Sequence, residues 1–290
     1  MITVLGVYLY ILVGFVAKKI FREIEGKSLV LLSTYFLQPF LTLWGILLIP
    51  LNKELILSPL IYILAVFISF IFTFFISLSL KDKKEKIISS IAPLIGNTGN
   101  LGIPLSYALF GDIGASVATL VNLANVFFIY TFGIFFYASG EYFFRESFKK
   151  IIKIPIIWFG ILALGLNVLG VKFDKDVMKI LQMGAFASIV TQLLIFGIYV
   201  AEIKLKEVSL KLSLIVLFNK FLVLPFITYF ILFFFKIDPV IKKVIVLEVL
   251  TPLAVTNVNL SALFNIYPQK MAFLIILTSI LFIPITLFFL

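Results

Sequence analysis

Pro93-Leu94-Ile95-Gly96-Asn97-Thr98-Gly99-Asn100-Leu101-Gly102-Ile103-Pro104 is the stretch on which the fold turns. It sets prolines, glycines and asparagines in the middle of a long apolar run. Each proline removes a backbone donor and clashes with the preceding turn, which disfavours a continuous helix. Unwound backbone at bilayer depth is tolerated only where it is buried in protein or lines a wet cavity. The stretch therefore reads as a helix broken inside a membrane protein.

Composition extends that reading outward to the whole chain. Of 290 residues, 62% are hydrophobic, 13% are charged and 34 are Phe, a balance that no water-soluble domain can hide in one core. The net charge of +10 does not point to nucleic acid, because the Lys and Arg residues sit in short connections between apolar runs, where they act as topology signals. The chain has no Cys and no His, so disulfides, thiol nucleophiles, Cys- or His-ligated metals and the commonest general base are all missing. No cofactor, resident metal or enzymatic activity is expected.

A helical span needs ~20 apolar residues. Charge-poor runs place ten near 2–18, 28–49, 58–80, 86–110, 113–139, 152–170, 180–201, 211–235, 240–265 and 269–290. The first run is followed by Lys18 and Lys19, the reverse of a secretory signal peptide, so it is expected to stay as a span. Only Gly111-Asp112-Ile113-Gly114 parts spans four and five, yet one helix through both would be too long for a bilayer. Basic residues concentrate after spans one, three, five, seven and nine: Lys18, Lys19, Arg22 and Lys27; Lys81, Lys83, Lys84 and Lys86; Arg145, Lys149, Lys150 and Lys153; Lys204, Lys206 and Lys211; and Lys270. The positive-inside rule puts these at the cytoplasmic face of the cell membrane, with both termini outside.

The halves 1–145 and 146–290 echo each other. Pro39 to Leu48, PFLTLWGILL, aligns with Thr191 to Val200, TQLLIFGIYV. Lys83-Lys84 followed by Ala92-Pro93-Leu94 aligns with Lys242-Lys243 followed by Thr251-Pro252-Leu253. Five spans per half is an odd number, so the second half must be inverted, a 5+5 plan used by many secondary transporters.

Span nine thus carries its own break, Thr251-Pro252-Leu253-Ala254-Val255-Thr256-Asn257-Val258-Asn259. A broken helix exposes an N-terminal half-dipole, roughly half a positive charge, that favours an anionic group, and freed carbonyls that can hold a cation. Breaks in corresponding inverted spans would cross near the midplane. The alternative is two ordinary kinks, with Asn as interhelix glue.

PLIGNTGNLGIPL, Pro93 to Leu105, resembles the fourth-helix signature of the auxin efflux carrier family, and the likeness covers the chain in length, span count and orientation. The span-nine match lacks the Gly-Asn-Thr-Gly run. The resemblance implies a fold shared with bile acid:sodium symporters: spans one, two, six and seven as scaffold and homodimer surface, spans three to five and eight to ten as a moving transport domain. It further implies a carboxylate-bearing substrate at the crossed breaks. Asn97, Thr98, Asn100, Thr256, Asn257 and Asn259 become candidate contacts, and Pro93, Gly96, Gly99, Pro104 and Pro252 the break-forming residues.

Glu248 is the one acid and Lys220 the one base well inside an expected span. Lys220 lies ~14 Å from the cytoplasmic side and Glu248 ~12 Å from the outer side, so both fall near the midplane of a core ~30 Å thick. Intramembrane charge is a functional hypothesis by default. Glu248 could carry a proton or ligate sodium, with Lys220 tuning it or attracting an anion; the alternative is a structural ion pair. Span five adds Thr119, Asn122 and Asn125 on one helix face, placed to line the cavity or to bond other helices. Gln38 and Gln192 could reach substrate from the scaffold side, though packing suits both.

These features point to a carrier of a small organic anion working by alternating access. The rivals are a sodium-coupled symporter and an ion channel, although two unlike breaks supply no ring of repeated carbonyls for a filter.

Overall fold

The computed structural model describes residues 2–138, 153–202 and 209–286. The junction expected at 145/146, and Arg145, Lys149, Lys150, Lys204 and Lys206, lie outside the described residues.

The described chain is all-helical, as expected. It opens with α1 (Ile2–Ile20), α2 (Gly26–Leu47), α3 (Lys53–Ser77) and α4 (Lys83–Ile91). The next run, Thr98–Tyr137, leaves helical geometry at Gly111, with φ 62° and ψ −145°, a conformation that glycine adopts without steric cost. A Cβ on Gly114 would strike the Ser106 carbonyl, although positions so spaced in one straight helix lie ~12 Å apart. The chain therefore reverses at Gly111 into α5 (98–110) and α6 (112–137). Then follow α7 (Pro155–Val168), α8 (Lys175–Glu202), α9 (Leu210–Phe233), α10 (Pro239–Leu250), α11 (Thr256–Leu263) and α12 (Pro268–Thr286).

Among the described residues, six helical runs are long and apolar enough to cross a membrane: Gly26–Leu47, Lys53–Ser77, Thr98–Tyr137, Lys175–Glu202, Leu210–Phe233 and Pro268–Thr286. Pro155–Val168 is a shorter apolar helix.

Two helices start earlier than their hydropathy suggests, and capping explains both. Asn52 Oδ1 accepts from the Leu55 amide at 2.9 Å and launches α3 at Lys53 rather than 58. Pro59 then leaves the Leu55 carbonyl without its helical partner, and Ser58 Oγ donates to it at 2.7 Å. Asp174 Oδ1 accepts from the Val177 amide at 2.8 Å and launches α8 at Lys175 rather than 180.

Widened π turns occur at Ile129–Gly133, which no proline closely follows, and at Ser33–Leu37, Thr98–Gly102 and Asn219–Val223. Each of the last three contains the carbonyl four residues ahead of a proline: Tyr35 for Pro39, Asn100 for Pro104 and Phe221 for Pro225. The pyrrolidine ring clashes with that carbonyl, and widening the turn relieves the clash. Lys220 sits in the last of these turns.

Packing sorts the helices into two groups. α1 runs along α8, while α8 and α7 flank α2. Close approach in the first pair requires glycine: a Cβ on Gly14 would strike the Leu194 carbonyl, and one on Gly197 the Ile11 carbonyl. In the other group α3 packs on α4, α6, α9 and α10, and α11 packs on α12. Large apolar side chains such as Phe226, Phe233, Leu210 and Met183 face outward, while Ser58, Thr73, Asn219, Thr228 and Thr278 are buried. That distribution suits a lipid surround.

Candidate functional site

α4 ends in a tight turn at Ala92–Leu94, and α10 ends at Leu250. The two unwound links then meet. The Asn97 amide donates to the Pro252 carbonyl at 2.8 Å, and the Ala254 amide to the Ile95 carbonyl at 3.0 Å, with Gly96 opposite Leu253 in an antiparallel bridge. These bonds satisfy backbone groups that the breaks release. The Leu253 amide finds Thr278 Oγ1 at 3.3 Å.

Side chains from α3 and α6 complete the crossover. Asn125 Nδ2 donates to the Gly96 carbonyl at 3.0 Å and to Thr98 Oγ1 at 2.8 Å, while its Oδ1 accepts from the Tyr62 hydroxyl at 3.0 Å. Thr98 Oγ1 donates in turn to Asn122 Oδ1 at 2.9 Å. A Cβ on Gly99 would lie 2.9 Å from that same oxygen and would force the Asn122 amide to shift. Tyr137 and Asn257 hold the other link: the Tyr137 hydroxyl donates to Asn257 Oδ1 at 2.8 Å, and Asn257 Nδ2 donates to the Ile95 and Ala254 carbonyls, each at 3.1 Å.

A cavity of about 130 Å³ lies against one side of the crossover, well above the about 15 Å³ that a single water needs. It brings together Asn97, Thr98, Asn100, Asn122, Asn125, Thr256 and Asn259, with Gln38 and Gln192 across from them. Asn257, expected as a contact, does not line it; its amide is committed to the crossover. Thr119 also stays away, bonding the Ala115 carbonyl and packing on Gly45. Toward one end of the molecule the walls are Val30, Tyr130, Ile154 and Tyr199, at the helix ends that carry the α1–α2, α6–α7 and α8–α9 connections. Toward the opposite end Trp44, Tyr107 and Phe186 stack edge to face or tilted, with ring centroids 5.4, 5.5 and 5.7 Å apart.

The family described as membrane transport protein matches the chain over residues 1–290. The chain belongs to this family, that of the auxin efflux carriers. No curated protein matches it. Membership of this auxin efflux carrier family implies a membrane transporter.

Behind the crossover, away from the cavity, lie two buried charged residues. Lys220 and Glu248 are both fully buried, and neither lines the cavity. They do not form the close ion pair that was one expectation, since Lys220 Nζ and Glu248 Oε2 each lack a hydrogen-bond partner. Glu248 Oε1 accepts from Ser106 Oγ at 3.0 Å. A Cβ on Gly102 would collide with the Glu248 carboxylate, and one on Gly96 would lie 3.1 Å from Lys220 Nζ. Both charges thus press against glycines of the first break.

Tyr62, Tyr137, Ser106 and Thr278 escape sequence reasoning. Their only signal is a hydroxyl set in an otherwise apolar run.

Proposed function

We propose that this protein is a secondary transporter that moves a small carboxylate-bearing anion by alternating access, binding it where the two breaks cross. The observation that carries this is Asn97. Its Nδ2 is buried without a hydrogen-bond partner, yet the residue lines the cavity at the N-terminal end of α5. A buried donor left unpaired is costly, and a carboxylate oxygen would satisfy it where first-turn amides and the helix dipole already favour negative charge.

In this reading the chain crosses the membrane ten times as a 5+5 inverted repeat, 1–145 and 146–290, with α4 and α5 together one broken span and α10 and α11 the other. The matched Ala92-Pro93-Leu94 and Thr251-Pro252-Leu253 sit at equivalent points of the two links, which supports the repeat. α1, α2, α7 and α8 form the scaffold and homodimer surface, and the remaining helices slide against it as an elevator. The cavity walls lie at the end bearing the basic connections, the expected cytoplasmic face, while Trp44, Tyr107 and Phe186 close the outer path. The molecule is thus inward-facing, with both termini outside the cell membrane. Glu248, on the closed side of the site, carries coupling to a proton, with Lys220 tuning it.

Counterflow in proteoliposomes with a panel of radiolabelled organic anions tests this reading. Saturable exchange that Asn97→Asp abolishes is expected; non-saturating conductance would show a channel instead.

A further inference from the structure

Four half-helices converge on the crossover. α5 and α11 point their N-termini at it, and α4 and α10 their C-termini. Amide ends favour an anion and carbonyl ends a cation, so the crossover has two electrical faces. Asn97 and the cavity occupy the first; the second is the close-packed region, or enclosure, behind Gly96.

Three atoms crowd that region. A Cβ on Gly96 would lie 2.8 Å from Thr251 Oγ1, 3.1 Å from Lys220 Nζ and 3.5 Å from the Glu248 carbonyl oxygen. The Thr251 hydroxyl donates to that carbonyl at 2.6 Å, at the C-terminus of α10. The Glu248 carboxylate stands nearby against Gly102, one oxygen bonded to Ser106 and the other unpartnered. Carboxylate, carbonyl and hydroxyl oxygens are donors that suit a hard cation. The only positive charge described within this enclosure is the Lys220 ammonium, itself fully buried and without a hydrogen-bond partner.

We propose that this enclosure is a monovalent-cation site already occupied by the Lys220 ammonium, a tethered charge in place of a dissolved ion. The proposal rests on the reading of the crossover as the substrate site. Transport by the natural protein then needs no sodium, and removing the amine uncovers a site that sodium can fill. The π turn at Asn219–Val223 places Lys220 where its stem reaches this point from α9, and a Cβ at position 96 would crowd both the Thr251 hydroxyl and the ammonium.

The test compares the full-length protein with Lys220→Ala, Lys220→Gln and Lys220→Ala/Glu248→Gln, in sodium chloride and in choline chloride at equal ionic strength. Thermal unfolding in detergent is read first. Sodium should leave the natural protein's midpoint unmoved, raise that of Lys220→Ala by about 3 °C and not affect the double variant. Anion counterflow should be equal in both salts for the natural protein and about tenfold lower in choline for Lys220→Ala. A single variant that folds only in sodium also supports the site.

Sodium stabilising or accelerating the natural protein overturns the proposal, as does a Lys220→Ala protein indifferent to sodium. Failure of both single variants to fold in either salt overturns it too, since sodium must be able to replace the lost charge. Absence of anion flux from every protein would defeat the substrate reading alone, because the unfolding midpoints still report the tethered charge.

Discussion

The Tyr137 hydroxyl donates to Asn257 Oδ1 across 2.8 Å, joining the end of α6 to the second broken helix. Asn257 in turn ties the Ile95 and Ala254 carbonyls together, so one hydroxyl orients the amide that clamps both links. Tyr137→Phe leaves a buried acceptor unpaired, at a cost of about 1–3 kcal/mol. Asn257→Ala frees the carbonyls as well and should lower the unfolding midpoint further. Apparent substrate affinity of Tyr137→Phe in counterflow should stay near that of the natural protein, since neither residue lines the cavity. A weakened affinity with an unchanged midpoint would make the pair a binding element instead.

Asn97 is expected to behave in the opposite way. Asn97→Asp keeps the shape but replaces the buried, unpartnered donor of this cavity-lining residue with an acceptor that repels a carboxylate. Losing one charge-assisted bond worth about 1.5–3 kcal/mol corresponds to roughly 10- to 150-fold in affinity, with repulsion adding to it. The measurement is the concentration dependence of counterflow beside the unfolding midpoint. An intact affinity would remove Asn97 from the site.

How much of this was legible in the sequence depends on whether backbone or side-chain contact decides a feature. Pro93, Gly96, Gly99 and Pro252 announce the breaks because their constraints are local, and the reversal at Gly111 shows for the same reason. The start of α3 does not, because Asn52 and Pro59 look like a loop until Ser58 is seen to rescue the Leu55 carbonyl. Thr256, Asn257 and Asn259 look alike on paper, yet helical geometry turns Asn257 inward and the other two toward the cavity. Depth along the expected spans puts Lys220 and Glu248 at similar levels, but nothing local tells that they meet the first break at Gly96 and Gly102 rather than each other.

A pH-sensitive clasp joins the α3–α4 and α11–α12 connections. Tyr267 donates to Asp82 Oδ2 at 3.0 Å, and Lys270 pairs with Glu85 at 2.6 Å. Slight burial pushes the Asp82 carboxyl up, but hydrogen bonds from the Glu85 and Lys84 amides and the Tyr267 hydroxyl, with Lys270 nearby, hold it below the usual carboxylate value overall. A carboxyl depressed in the folded state stabilises above its unfolded value, and that contribution is lost as pH falls through the folded one. Thermal melts across the acid range should therefore show Asp82→Asn destabilised at neutral pH and converging on the natural protein in acid. Parallel curves at every pH would show that the clasp contributes nothing.

The aromatic seal supplies a test of which end of the cavity is open. Trp44 on α2 and Phe186 on α8 belong to the helices proposed as scaffold, whereas Tyr107 on α5 belongs to the proposed moving group, so their contacts must part if the groups slide. Because the chain has no Cys, Thr34→Cys would place a single thiol on the cavity wall. In inside-out vesicles a membrane-impermeant maleimide should label it; in right-side-out vesicles it should label slowly. Trp44→Ala removes the ring common to two of the three contacts, and labelling from the outer side should rise, by about tenfold if some 1.4 kcal/mol of closure energy is lost. Aromatic pairs of this kind are worth about 0.5–1.5 kcal/mol each beyond their buried area, enough for two of them to hold such an equilibrium. Equal labelling from both sides in the natural protein would mean that these rings do not close the outer path.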